Sequence, residues 1–123
     1  MQTNPNINLT MLCDFYELTM ANGYFKSGMQ DKITYFDLFF RKVPDEGGFA
    51  IAAGLEQAIE YIQNLHFGED DIAYLRTRGI FSEDFLDYLK SFRFTGDIWA
   101  VPEGTPIFPK EPILTVRAPA IEA

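Results

Sequence analysis

Arg41 and Lys42 are the only adjacent cations in a chain of 123 residues that carries 10 Lys and Arg against 18 Asp and Glu. They follow the apolar run "YFDLFF" and precede the glycine-bearing segment "VPDEGGF". Such a pair at the mouth of a loop could clamp an anion, because arginine offers a rigid fork of donors and lysine a mobile point charge. The same pair could equally be the solvated end of a strand. Tyr16 is the second candidate. It lies in "DFYELTMANGYF", where its ring face could stack on a flat ligand, an interaction worth roughly 0.5–1.5 kcal/mol. Helical patterning alone also accommodates Tyr16 as a core aromatic with its hydroxyl at the rim.

The remaining reactive types point away from catalysis. His66 is the sole histidine, and "GEDD" lies just beyond it. Acids at a helix start complement the helix dipole and face water, and their spacing here matches no metal-binding motif. One histidine with no serine placed beside it gives no Ser-His-Asp arrangement. Cys13 is the single cysteine and lacks a basic neighbour in sequence, so it reads as a structural thiol. It permits no internal disulfide, which suits a reducing, cytoplasmic setting. "EGGF" and "PEGT" lack the spacing of a phosphate-cradling glycine loop and read as turns.

Charge and composition narrow the classes further. The formal net charge is −8, and an acidic chain is a poor binder of nucleic acid, whose phosphates call for clustered Lys and Arg. No run approaches the ~18 apolar residues of a membrane span. "MQTNPNINL" has neither a basic nor an apolar signal region, so no signal peptide is expected. Apolar residues make up 47% and charged residues 23%, the balance of a globular domain. Twelve phenylalanines are a large apolar supply for this length, enough that some could cover an interface.

The elements that must position the candidates follow from periodicity. Residues 10–28 read as a helix, with Thr10 as N-cap and Gly28 at the C-terminal end. It has two apolar stripes, one of Met11, Phe15, Leu18 and Phe25 and one of Cys13, Tyr16, Met20 and Tyr24. A helix apolar on both sides is expected to be buried on both sides. "KITYFDLFFRK" reads as a strand, with Phe36, Leu38 and Phe40 on one face and Tyr35, Asp37, Phe39 and Arg41 on the other. "FAIAAG" is a short strand or a helix lead-in. "LEQAIEYIQNL" is an amphipathic helix with Leu55, Ala58, Ile59 and Ile62 as its stripe. "GEDDIAYLRTRG" and "SEDFLDYLKSF" form a helical pair, the second capped by Ser82. "GDIWAV", "TPIFP" and "PILTV" are short β segments, and prolines 102, 106, 109 and 112 argue for edge strands over central ones. "APAIEA" looks like the start of a helix, with Pro119 in its first turn and Glu122 at its positive end, which suggests a piece of a longer protein.

The blocks "DFYELTMANGYFKSGM", "YFDLFFRKVP", "FAIAAGLEQAIEYI" and "FLDYLKSFRFTGDIWAVPEGTPIFPKEPILTVRAPAIEA" resemble, in order, the N-terminal region of nicotinate phosphoribosyltransferases. The resemblance runs from about Leu12 to the end of the chain. It implies an α+β N-terminal domain of a type II phosphoribosyltransferase spanning 1–123, with a mixed or antiparallel sheet and packed helices. The α/β barrel that holds most phosphate-binding residues and a phosphorylated histidine would lie outside this chain. The implied reaction joins nicotinate to phosphoribosyl pyrophosphate to form nicotinate mononucleotide, coupled to ATP hydrolysis and dependent on Mg²⁺, in NAD biosynthesis and salvage.

The resemblance also implies roles and partners. Tyr16, with Asp14 beside it, falls on the motif that stacks on the pyridine ring across a homodimer interface. Arg41, and with it Lys42, falls on the basic residues that reach the phosphoribosyl and pyrophosphate groups of the neighbouring subunit. Asp45 and Glu46 stand where members of that family often have apolar residues or glycine. The expected partners are therefore the barrel domain and a second subunit, without nucleic acid or membrane, and no metal ligand is expected in this chain. Two alternatives remain open at this level: a non-catalytic dimerisation or ligand-binding module, and a sister transferase using nicotinamide or quinolinate.

Overall fold

Phe85 is completely buried, and aromatic rings surround it. Phe81 and Phe25 lie 5.8 and 5.7 Å from it, centroid to centroid, and Tyr88 stacks at 6.4 Å. Pairs at such separations add to the area they bury. A computed structural model describes residues 7–123 of the chain. Part of the phenylalanine supply thus goes into a helical core and not into an interface.

That core is built by three helices: α1 (Phe15–Lys26), α3 (Glu69–Thr77) and α4 (Glu83–Lys90). Leu18 and Ala21 of α1, Ile72 and Leu75 of α3, and Phe85, Leu86 and Leu89 of α4 are buried together with Phe92. Ser82 caps α4 as its sequence implies, its Oγ accepting from the Phe85 N–H at 3.4 Å. The acids opening α3 find a specific use in Asp71, whose Oδ2 accepts from the Gly68 N–H at 2.8 Å. The buried Asn22 of α1 donates to the Ile80 carbonyl at 3.4 Å, which ties α1 to the turn between α3 and α4.

Helix α1 starts later than its pattern predicts. Asp14 is its N-cap residue. Thr10 is buried outside the helix, where its hydroxyl accepts from the His66 N–H at 3.0 Å. Asn8 draws it there by accepting from the Thr10 N–H and donating to the His66 carbonyl, both at 3.0 Å. The far end of α1 is as expected. Gly28 takes φ +68, and the N–H groups of Gly28 and Met29 return to the carbonyls of Phe25 and Tyr24 at 3.1 and 2.9 Å. This is the two-bond helix terminus that favours glycine.

Strands β1 (Ile33–Leu38), β3 (Asp97–Ala100) and β5 (Leu114–Pro119) form an antiparallel sheet in the order β1-β5-β3. Strands β2 (Ala50–Ile51) and β4 (Pro106–Ile107) pair as a second, two-stranded sheet. Pro106 therefore sits on an edge, as proline must. By contrast β5 is a central strand, made possible because Pro112 precedes it and Pro119 occupies its last position. Pro119 thus ends a strand instead of opening a helix. The residues after it turn back, and Glu122 accepts from the Thr95 N–H at 2.6 Å.

The pleat of the larger sheet sorts its side chains. Phe36, Leu38, Val116, Leu114 and Ile98 share one face; Tyr35, Asp37, Arg117, Thr115, Asp97 and Trp99 share the other. On the polar face, Arg117 donates to the Tyr35 hydroxyl and to the Asp97 carboxylate, each at 3.1 Å. Thr115 donates to Asp37 at 2.6 Å. The apolar face is covered only in part: Ala118 is fully buried, whereas Phe36 and Leu38 remain 55% and 56% exposed. Helix α2 (Leu55–Gln63) lies beside the second sheet and has no fully buried residue. No helix of the described residues is long and apolar enough to cross a membrane.

Candidate functional site

Tyr16 occupies the first turn of α1 and is 58% exposed, and Met20 one turn later is 48% exposed. Within this chain, then, only one face of α1 is fully buried. Leu18, Ala21 and Asn22 pack inward, while in the second stripe Cys13 and Tyr24 are half-buried and Tyr16 and Met20 open outward. The reason is the helix set itself: α3 and α4 pack against one side of α1, where Leu18 and Ala21 join the buried cluster, and the side carrying Tyr16 and Met20 is left largely open. Asp14 is exposed too, and its side chain makes no capping hydrogen bond. Tyr16 is thus displayed on a helix whose other face is anchored in the core. That arrangement presents a ring without a flexible tether.

Cys13 next to this face is half-buried. Burial pushes its thiol up from the ordinary range, and the neighbouring Glu17 and Asp14 carboxylates push it further. A thiol so disfavoured as thiolate is a poor nucleophile, consistent with a structural role.

Arg41 and Lys42 lie beyond the sheet and not at its last rung. Strand β1 ends at Leu38, and Phe39 and Phe40 intervene. The pair is nonetheless fixed in place, because the Phe40 carbonyl accepts from the Lys110 N–H at 2.8 Å and the Leu38 carbonyl from the Ile113 N–H at 2.9 Å. The loop after the pair turns tightly through Pro44–Glu46, with Asp45 and Glu46 at φ +57 and +56. Both cations are exposed, and neither enters an ion pair among the described residues, whose salt bridges are Arg76–Glu83, Lys90–Asp87 and Arg117–Asp97. A cation pair held by backbone and unclaimed by carboxylates is available to an external anion.

The structure does not bring the two candidate groups together. No hydrogen bond, ion pair or ring contact among the described residues joins Tyr16 or Asp14 to Arg41 or Lys42. Nor does either group line two hollows on the surface of the described residues. The larger, about 530 Å³, is bordered by Glu56, Glu60 and Glu103, a charge unsuited to phosphates. The smaller, about 220 Å³, is apolar and lies between Leu38, Ile51, Ala58, Ile107 and Leu114. No three His, Cys, Asp or Glu side chains converge on a point among the described residues. The one histidine is engaged locally: His66 Nδ1 lies 2.7 Å from the Asn64 carbonyl oxygen.

Two contributors were missed by sequence reasoning. Glu103, read as part of a turn, reaches the N-terminus of α2. Lys110, unremarkable in "FPKEP", stands beside Phe40. Local patterning signals neither, because each depends on strand pairing across dozens of residues.

The model of the nicotinate phosphoribosyltransferase (NAPRTase) N-terminal domain matches residues 11–123. The chain belongs to this family. The resemblance first read from separated blocks is therefore borne out over its whole expected extent. Nicotinate phosphoribosyltransferase pncB2 of Mycobacterium tuberculosis is 46% identical over 113 residues, covering 92% of this chain and 24% of that protein. The nicotinate phosphoribosyltransferase of Bacillus subtilis is 42% identical over 116 residues, covering 94% of this chain and 24% of its own. The chain thus spans about a quarter of the length of these family members.

Solved structures agree on the fold. The crystal structure of human nicotinic acid phosphoribosyltransferase superposes with a TM-score of 0.80 at 31% identity, over 89% of this chain and 22% of that one. Nicotinate-nucleotide pyrophosphorylase from Pyrococcus furiosus, at 15% identity and a TM-score of 0.63, shares the fold alone. The expected α+β class, with an antiparallel sheet and packed helices and without a barrel, is the class observed.

Proposed function

We propose that this chain is the N-terminal domain, residues 1–123, of a nicotinate phosphoribosyltransferase. The enzyme would form nicotinate mononucleotide from nicotinate and phosphoribosyl pyrophosphate in NAD biosynthesis. The observation that carries this reading is the 46% identity to a protein of that name across 92% of the chain. The geometry supports it through an outward-facing ring on a rigid helix and an unpaired cation couple on a braced loop.

In the reaction, the pyridine nitrogen bonds to C1 of the ribose while the bond from C1 to pyrophosphate breaks. Positive charge develops on the sugar and negative charge on the leaving group. Arg41 and Lys42 would bind and neutralise that leaving group, and Tyr16 would stack on the pyridine and hold it in line with C1. Asp14 sits beside the ring at the start of α1. None of these residues is assigned a proton transfer. The exposed part of the sheet's apolar face and the open side of α1 would be covered by the barrel domain and by a second subunit of a homodimer, which would also bring the two candidate groups into one pocket. ATP and Mg²⁺ are expected of the family reaction, and we assign neither to any residue of this chain. A single cysteine suits a cytoplasmic enzyme.

The test is direct. The full-length protein is supplied with phosphoribosyl pyrophosphate and, in turn, nicotinate, nicotinamide and quinolinate, and mononucleotide is followed. Preference for nicotinate supports the reading; turnover of another pyridine alone, or of none, overturns it. The isolated 123 residues, with a net charge of −8 and half a pocket, are expected to be inert, and turnover by them would contradict the division of labour proposed here.

A further inference from the structure

The described residues contain three non-glycine positions with positive φ: Asp45, Glu46 and Lys110. All three surround Arg41 and Lys42. Asp45 and Glu46 form the turn immediately after the pair, and Lys110 donates its N–H to the carbonyl of Phe40, the residue just before it, at 2.8 Å. That hydrogen bond sets the Lys110 backbone against the residue preceding the cation couple, although Lys110 is far along the chain. Three of the ten Lys and Arg residues thus gather at one end of the sheet in a chain of net charge −8. Lys110 is exposed and, like Arg41 and Lys42, enters no salt bridge among the described residues.

The backbone of Lys110 sharpens the argument. At φ +66 the chain favours glycine, and a side chain there strains the turn between Phe108 and Glu111. For folding alone, glycine would be the better residue. Strained positions of this kind gather where a side chain is needed for another purpose. The carboxylates nearest to it in sequence, Glu111 and Glu103, do not neutralise the lysine through an ion pair, nor do Asp45 and Glu46 of the loop after the pair.

We propose that Lys110 is a third cation of the anion clamp, binding the pyrophosphate group of the phosphoribosyl donor together with Arg41 and Lys42. The inference rests on the transferase reading above and adds a residue that neither the motif nor its spacing supplies. Three cations from two loops would hold a group carrying several negative charges better than one adjacent pair, and their own repulsion is relieved when the anion arrives.

Full-length Lys110→Gln, Lys110→Arg, Lys110→Gly and Arg41→Ala proteins decide the matter by steady-state kinetics and thermal melting. Expected are a rise of roughly fivefold in KM for phosphoribosyl pyrophosphate with Lys110→Gln, little change in KM for nicotinate, and recovery with Lys110→Arg. Lys110→Gly is expected to melt at a higher temperature than the wild type yet to show the same weakened use of the donor. A structural role would not produce that split. Donor KM values of Lys110→Gln and Lys110→Gly within experimental error of wild type, alongside an impaired Arg41→Ala, would overturn the role of Lys110 and leave the transferase reading intact. If Arg41→Ala is silent as well, the clamp itself fails, and Lys110 with it.

Discussion

Glu103 caps helix α2 from 49 residues away: its Oε1 accepts from the N–H of Gly54 at 2.8 Å and, 48 residues away, from that of Leu55 at 2.7 Å. Gly54 at the N-cap position takes φ +97 and has no side chain to do this for itself. The carboxylate satisfies two donors that helix geometry leaves free and places a negative charge at the positive end of the dipole. It also joins the β3–β4 connection to a helix that buries none of its own residues completely. Glu103→Ala should therefore destabilise the protein by about 0.5–2 kcal/mol, the usual worth of an N-cap. Glu103→Gln, which keeps an acceptor oxygen, should lose less. Urea denaturation measures both, and hydrogen exchange should show faster exchange in the first turn of α2; equal stability of wild type and Glu103→Ala would dismiss the cap.

Gly96 makes a second, steric prediction. A Cβ built on it would lie 2.5 Å from the Ala118 Cβ and 2.5 Å from the Arg117 carbonyl oxygen. Its φ is not in the left-handed region, so space and not backbone freedom demands glycine here. Ala118 is fully buried on the central strand, and the clash is with backbone as well as side chain. Gly96→Ala should cost about 1–3 kcal/mol through overpacking where β3 begins beside β5. A thermal midpoint unchanged from wild type would show that the strands can part at no cost.

These two residues show where sequence reading stops. Helices α2, α3 and α4 were legible because apolar spacing, Ser82 and the acids at Gly68–Asp71 are local signals. The glycine terminus of α1 was legible for the same reason. Its start was not, because Thr10 follows the cap pattern but is captured by His66 from another loop. The strand reading placed Phe36 and Leu38 on one face correctly and ran on too far, since Phe39 and Phe40 continue the apolar composition without continuing the ladder. The face of α1 that holds Tyr16 was legible as apolar, but periodicity cannot say whether a partner in the same chain covers it. Within this chain Tyr16 and Met20 stay exposed while Cys13 and Tyr24 are half-buried. Glu103 and Lys110 depend on register between distant segments, which composition and period do not encode.

Arg76 and Glu83 give a pH dependence whose direction is fixed. Arg76 Nε and Nη2 donate to the two carboxylate oxygens of Glu83 at 2.9 and 3.0 Å, joining α3 to the start of α4. These hydrogen bonds, with the opposite charge, hold the Glu83 carboxyl below its ordinary range. A carboxylate whose folded pKa is depressed contributes stability above its unfolded pKa, about 4.3 for glutamate, and loses it as pH falls through the lower folded value. Both side chains are solvent-exposed, so the effect is small and screened by salt. Arg76→Ala should melt slightly below wild type at neutral pH in low salt, and the gap should narrow as the pH falls below about 4.3 and the carboxylate is protonated. A gap that persists unchanged into acid would assign the loss to packing of the arginine stem instead.

Tyr16 and Arg41 should separate the two substrates. In the full-length protein, Tyr16→Ala removes the displayed ring and should raise KM for nicotinate by up to about tenfold, the kinetic equivalent of losing a stacking contact. Tyr16→Phe keeps the ring face and should remain close to wild type, which distinguishes stacking from a hydroxyl contact. Arg41→Ala should instead raise KM for phosphoribosyl pyrophosphate, and Arg41→Lys should recover only part of the loss, since a point charge cannot reproduce the two-pronged donor. The folded core is not at stake, because Tyr16 and Arg41 are both exposed and outside the buried cluster. Steady-state kinetics with each substrate varied in turn reads the split. If Tyr16→Ala and Arg41→Ala leave both KM values where they were, the ring and the guanidinium are ordinary surface groups, and the pocket must be sought on other residues.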